Sequence, residues 1–202
     1  MKNALATIYQ SGKTVLTNRD IGILLGKTDS DNLKSSLAYF VKTKSLIRLR
    51  SGIFALNSKY DPNELATSIY LPSYLSLETV LSRSGVTFQY FETIFVISHL
   101  SRTLEIDGRK IIFTKIKDEV LYNPKGIDFS GKYPIASEER AFLDRIYLTK
   151  DYFFDNLRAI DFEKAFLIAP IYKNKQLTKR LKSYYADYAR QNKTSIDNGA
   201  NS

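Results

Sequence analysis

Runs of apolar residues at helical spacing mark the first elements of the chain. After Thr17-Asn18-Arg19-Asp20 come Ile21, Ile23, Leu24 and Leu25, and Gly26 supplies a turn. After Thr28-Asp29-Ser30-Asp31, Leu33, Leu37, Phe40 and Val41 recur at i, i+4, i+7 and i+8, the stripe of an amphipathic helix. Both runs follow a T-x-x-D capping box: the Thr oxygen takes a first-turn N–H, and the acid reaches back at the positive helix end. Ser45 to Leu56 then alternates Ile47 and Leu49 with Arg48 and Arg50 and bends at Ser51-Gly52. That pattern predicts a β-hairpin with one face on the helices and the other free. An earlier helix over residues 2–11 carries Ala4, Leu5, Ile8 and Tyr9 on one side. Helix, tight turn, helix and hairpin is the order of a winged helix-turn-helix, a motif whose second helix enters the major groove of DNA.

Beyond Leu56 the pattern changes. Tyr60-Asp61-Pro62 is a turn signal, and the domain boundary is expected between Asn57 and Asn63. Glu64 to Tyr70 reads as helical or irregular, interrupted by Pro72, and Ser76 as the cap of a helix through Leu77, Val80 and Leu81, ended by Gly85. Thr93 to Ser98 is β-branched and aromatic, a central strand. Arg102 to Ile116 reads as a hairpin on Asp107-Gly108. Asn123-Pro124-Lys125-Gly126 is a further turn. Ser137 caps a helix with Ala141, Phe142, Ile146 and Tyr147 on its apolar face, Asp161 caps a shorter one, and a tyrosine-rich basic helix covers about 175–190. The expected architecture is α+β. It has a winged helix-turn-helix at 1–60, a mixed α/β domain at 64–190, and a flexible tail at 191–202.

Charge sharpens the first unit. The 202 residues carry 30 Lys+Arg and 21 Asp+Glu, a formal net charge of +9. Residues 1–60 hold ten basic side chains against Asp20, Asp29 and Asp31, a balance of +7, and the remainder holds twenty against eighteen, or +2. Such asymmetry locates a polyanion partner, and duplex DNA is the expected one. On the helix after Asp31, the face opposite the stripe carries Ser35, Tyr39 and Lys42, flanked by Lys34 and Ser36. These residues, with Arg19 and with Arg48 and Arg50 of the hairpin, are the candidate DNA contacts. No run of about eighteen apolar residues exists to span a bilayer. The first sixteen residues lack the form of a secretory signal, and there is no cysteine. A cytoplasmic protein is expected.

Enzyme signals are sparse. His99 is the only histidine, and zinc chemistry lacks its ligands. No G-x-S-x-G elbow and no phosphate-binding glycine motif occurs. Glu105 and Asp107 near Lys110 and Lys115 could mimic the metal site of a nuclease, but a turn aspartate and exposed strand charges explain them better. The expectation is no catalysis, no cofactor and no metal. The alternative to DNA reading is a protein-interaction module, with Tyr184, Tyr185 and Tyr188 as an interface; core packing is the plainer account of those tyrosines.

Three stretches together carry a family resemblance. They are Arg48-Leu49-Arg50-Ser51-Gly52-Ile53-Phe54-Ala55-Leu56; Tyr74-Leu75-Ser76-Leu77-Glu78-Thr79-Val80-Leu81-Ser82; and Tyr133-Pro134-Ile135-Ala136-Ser137-Glu138-Glu139-Arg140-Ala141-Phe142-Leu143-Asp144. In order and spacing, over roughly 5–150, the chain resembles the AbiEi family, the antitoxins of type IV toxin–antitoxin (abortive infection) pairs; that family usually has Tyr at the place of Phe54. The resemblance implies a transcriptional repressor of its own operon that binds inverted repeats through the N-terminal winged domain; because one winged domain reads a short half-site, paired copies on the DNA are expected. It also implies a C-terminal domain that supports antitoxin activity. The implied functional partner is a nucleotidyltransferase-like toxin, countered without a stable complex.

Overall fold

The first 56 residues alternate helix and strand: α1 (Lys2–Gln10), β1 (Val15–Thr17), α2 (Asn18–Leu24), α3 (Ser30–Lys42), β2 (Ile47–Arg50) and β3 (Ile53–Ala55). The computed structural model describes residues 2–27 and 30–199. β1, β3 and β2 form an antiparallel sheet in that order. Strand alternation gives the sheet two buried faces. Leu16 and Phe54 meet Ile8, Ile21, Leu37 and Phe40 of the three helices. Val15, Ile53 and Ala55 turn the other way, against Tyr60 and Leu65.

Leu65 belongs to α4 (Pro62–Ile69), which Asp61 caps by accepting the Asn63 N–H. This helix lies between two sheets. Leu65 faces the three-stranded one, and Ala66 faces the larger one. The larger sheet contains β4 (Ser73–Leu75), β5 (Ile94–Ser98), β6 (Arg102–Ile106), β7 (Arg109–Lys115), β8 (Ile127–Asp128) and β9 (Ile135–Ala136), in the order β6-β7-β5-β4-β9-β8. β5–β7 and β4–β9 are parallel, and the other pairings are antiparallel. Leu75, Ile94, Val96, Ile111 and Phe113 face α4. Tyr74 and Ile97 face the opposite side, beneath α7 (Glu138–Leu148), α8 (Phe162–Ile168) and α9 (Lys175–Gly199). The short helices α5 (Glu78–Leu81) and α6 (Asp118–Leu121) complete that layer. The fold is therefore mixed α and β, built on two sheets.

Local chemistry explains most of these elements. Thr17 and Asp20 make a complete capping box at α2. The second expected box, at Thr28, falls outside the described residues. Asp107 and Gly108 have φ of 53° and 71°, the left-handed pair that a two-residue hairpin needs between β6 and β7. Ser137 accepts the Arg140 N–H, and Asp161 accepts that of Lys164, as caps of α7 and α8. Gly126 has φ +77°, and a Cβ there would stand 3.0 Å from the Cβ of Arg140. Only glycine lets this turn approach α7 so closely.

Three expectations are corrected. Ser76 does not cap α5: Leu77 stands at the N-cap with φ 55°, and the Ser76 hydroxyl donates to buried Asp144 instead. The β2 alternation fails because the β2–β3 register shifts between Arg48 and Arg50, leaving Ile47 40% exposed and Arg50 half-buried. The last helix extends past its expected end near residue 190, to Gly199, with no proline between to break it. Tyr60, within the boundary expected at 57–63, is buried and donates its hydroxyl to Asp107 at 2.9 Å.

Candidate nucleic-acid interface

α3 presents its apolar stripe inward and a polar face outward. Leu37 and Phe40 are buried, while Asp31, Lys34, Ser35, Tyr39 and Lys42 are exposed. Thirteen residues make a rod of about 20 Å, long enough to lie along a major groove. Lys34 reaches Asp31 one turn back at 3.1 Å, both ends in solvent, where such a pair holds the lysine only weakly. Tyr39 keeps 44% of its surface, with its ring edge-on to Phe40 at 6.0 Å. Ser36 sits lower on the flank: its hydroxyl donates to the Asn32 carbonyl at 2.8 Å and accepts from Lys27.

The other candidates divide. Arg19 is exposed in the first turn of α2. It shares with Lys27 and Lys34 the rim of a groove of about 640 Å³ between α2 and α3, floored by Gly22, Leu33 and Leu37. Next to Arg19, Asp20 holds Lys13 at 2.7 Å. Partial burial pushes the Asp20 carboxyl up, but hydrogen bonds from Lys13 and Thr17 outweigh it and leave it below the ordinary range. Arg48 is exposed, its guanidinium over Phe54 at 5.6 Å. Arg50, across the bulge, lies over the ring of Tyr70 at 5.9 Å and so faces the second half of the chain. Arg19, Lys34, Ser35, Tyr39, Lys42 and Arg48 are thus each exposed, while Ser36 and Arg50 are half-buried.

The remaining candidates are resolved by their neighbours. His99 is exposed, edge-on to Tyr70 at 6.2 Å. Glu105 faces Lys110 across the hairpin, and Asp107 accepts from Tyr60. Among the described residues, no three His, Cys, Asp or Glu side chains gather as a metal site. Tyr184 packs between Phe142 and Phe154, and Tyr188 against Phe162, so both belong to the core layer.

A buried charged pair escaped the sequence reading. Asp144 and Arg140, one turn apart on α7, are both fully buried, with the Arg140 Nε 3.4 Å from the carboxylate. Asp144 accepts from Tyr172 at 2.6 Å, Ser76 at 2.8 Å and Tyr74 at 3.1 Å. Arg140 donates to the carbonyls of Val120 and Lys125 and to Tyr74. Burial pushes Asp144 up and the guanidinium opposes it; burial alone would lower Arg140, but the carboxylate and the two phenols keep it charged. The signal in the sequence was an Arg and an Asp at i, i+4 on the apolar side of a helix, a costly placement unless paired. These residues fall within the motif Tyr133 to Asp144 and the strand at Tyr74, so two of the three stretches that carry the family resemblance build this network.

No protein-family model matches the chain, and no curated protein matches it as a relative. Among the described residues, no helix is long and apolar enough to cross a membrane.

Proposed function

We propose that residues 1–60 form a winged helix-turn-helix that reads duplex DNA, and that the chain is a repressor of its own operon and the antitoxin of a type IV pair. The observation that carries the DNA reading is the outer face of α3. Lys34, Ser35, Tyr39 and Lys42 stand exposed on a helix of groove length, in the sixty residues that hold seven of the nine surplus positive charges. The strand order β1-β3-β2 around three helices suits a winged unit, with β2 and β3 as the wing. In this reading Ser35 and Tyr39 touch base edges, while Lys34, Lys42, Arg19 and Arg48 hold phosphates. One unit covers a short half-site, so two copies occupy an inverted repeat. The antitoxin part rests on the resemblance alone: the second half counters a nucleotidyltransferase-like toxin in the cytoplasm, with no catalysis and no cofactor of its own.

A mobility shift with the DNA upstream of the chain's own start codon tests the first part. Growth rescue on co-expression with a neighbouring nucleotidyltransferase tests the second. The second reading, a protein-interaction module, draws on the α2–α3 groove, where Ile23 leaves 71% of its surface in water beside the apolar floor. A chain that shifts no DNA but retains a protein partner through Ile23 would favour it.

A further inference from the structure

A cleft of about 400 Å³ opens between the start of α4, the end of α5 and the segment entering β5. Its walls carry Asn63, Arg83, Phe88, Tyr90, Glu92 and Arg109. Two arginines stand here without an acidic partner within ion-pair distance among the described residues. Arg83 reaches only the amide oxygen of Asn63, at 3.2 Å. Arg109 begins β7, directly after the hairpin turn at Asp107-Gly108, with its side chain beside the Tyr60 phenol.

The aromatic rings of the cleft are held in water rather than left there by slack. Phe88 is 72% and Tyr90 82% exposed. The segment that bears them is pinned from behind: the Phe88 N–H donates to the Asp155 carboxylate at 2.8 Å, and the Val86 carbonyl accepts from Asn156 at 3.1 Å. Behind Tyr90, Phe91 stands edge-on to Phe95 at 5.7 Å. Exposed aromatic surface on a fixed backbone is a platform on which a planar ring can stack.

We infer that this cleft binds a nucleoside monophosphate: the base stacks on Phe88 or Tyr90, and the phosphate is held by Arg83 and Arg109. Guanidinium groups suit phosphate oxygens because their donors form a planar fork. Glu92, the one acid in this cleft, would repel a bare anion, but it accepts from ribose hydroxyls, as acidic side chains do in other nucleotide sites. The volume suits a ligand of this size. Nothing in this argument depends on the DNA reading, and the two fail separately.

Calorimetric titration of the full chain with AMP, UMP, adenosine and orthophosphate tests it, with no DNA present. The expected result is that AMP or UMP binds at about 100 µM or tighter, and adenosine and orthophosphate each at least tenfold more weakly. Arg83→Ala with Arg109→Ala should weaken the nucleotide by about tenfold or more, as should Tyr90→Ala with Phe88→Ala, with the thermal midpoint unchanged. All four are surface positions, so the fold should survive. No heat from either nucleotide at millimolar concentration overturns the inference. So does equal affinity for AMP and orthophosphate, or undiminished binding in both double variants.

Discussion

Glu64 holds Thr14 across fifty residues of chain: one carboxylate oxygen accepts the Thr14 N–H at 2.9 Å and its hydroxyl at 2.6 Å. The same hydroxyl accepts the Asp61 N–H at 2.9 Å. With Leu65 against the face of the three-stranded sheet, these bonds fasten the N-terminal unit to α4. Glu64→Ala strips buried donors of their acceptor and should cost about 1–3 kcal/mol. Denaturant unfolding measures this, and limited proteolysis should cut faster between Asn57 and Lys59. An unchanged midpoint and cleavage pattern would mean that apolar contact alone holds the joint.

Asp144 and Arg140 should dominate the stability of the second half. Asp144→Asn leaves the guanidinium buried without a counter-charge and is expected to cost about 3–5 kcal/mol. Tyr172→Phe removes one bond to the same carboxylate and should cost about 1–3 kcal/mol. Because both changes act on one network, the double variant should lose less than the sum. Chemical denaturation of the four proteins checks it, and strict additivity would contradict the shared site.

The tyrosines give a pH readout. Burial first, then the neighbouring Asp144 carboxylate, pushes the Tyr74 and Tyr172 phenols well above their ordinary value of 10. Tyr152 is pushed up to about 12 by burial and by Glu78. Phenols raised in the folded state stabilise it below about pH 10, and that contribution is lost as pH rises through their folded values. Phenolate absorbance should therefore show Tyr74 and Tyr172 ionising only as the protein unfolds. Early ionisation of every tyrosine would show that the network is open to water.

The bulge in β2 separates two arginines that the sequence treats alike. Arg48→Ala should flatten the dependence of log affinity for DNA on log salt by about 1, the loss of one phosphate contact. Arg50→Ala should leave that slope nearly unchanged, because its guanidinium lies over Tyr70. Equal effects from the two would place both on the phosphates and contradict this division.

The parts of the fold that were legible in the sequence are those set by local rules. The stripe of α3, the Thr17 box, the Asp107-Gly108 hairpin and the Ser137 and Asp161 caps depend on neighbours within four residues. What escaped depends on distant partners. Ser76 has the composition of a cap, yet its hydroxyl is drawn to an aspartate 68 positions away. Tyr60 looks like part of a turn, yet it is the seam between two sheets. The β2 bulge is invisible because alternation assumes one residue opposite one. For the candidate interface, helical phase was enough to say which α3 side chains point outward, but not that Arg50 would turn inward to an aromatic ring.

The central claim is that the outer face of α3 grips duplex DNA. Footprinting of the full chain on the DNA upstream of its own start codon, repeated with Ser35→Ala and Tyr39→Ala, tests it most directly. A protected inverted repeat that weakens or changes its preferred bases in the variants is the result expected here. No protection at any concentration, or protection that both variants reproduce unchanged, would contradict it.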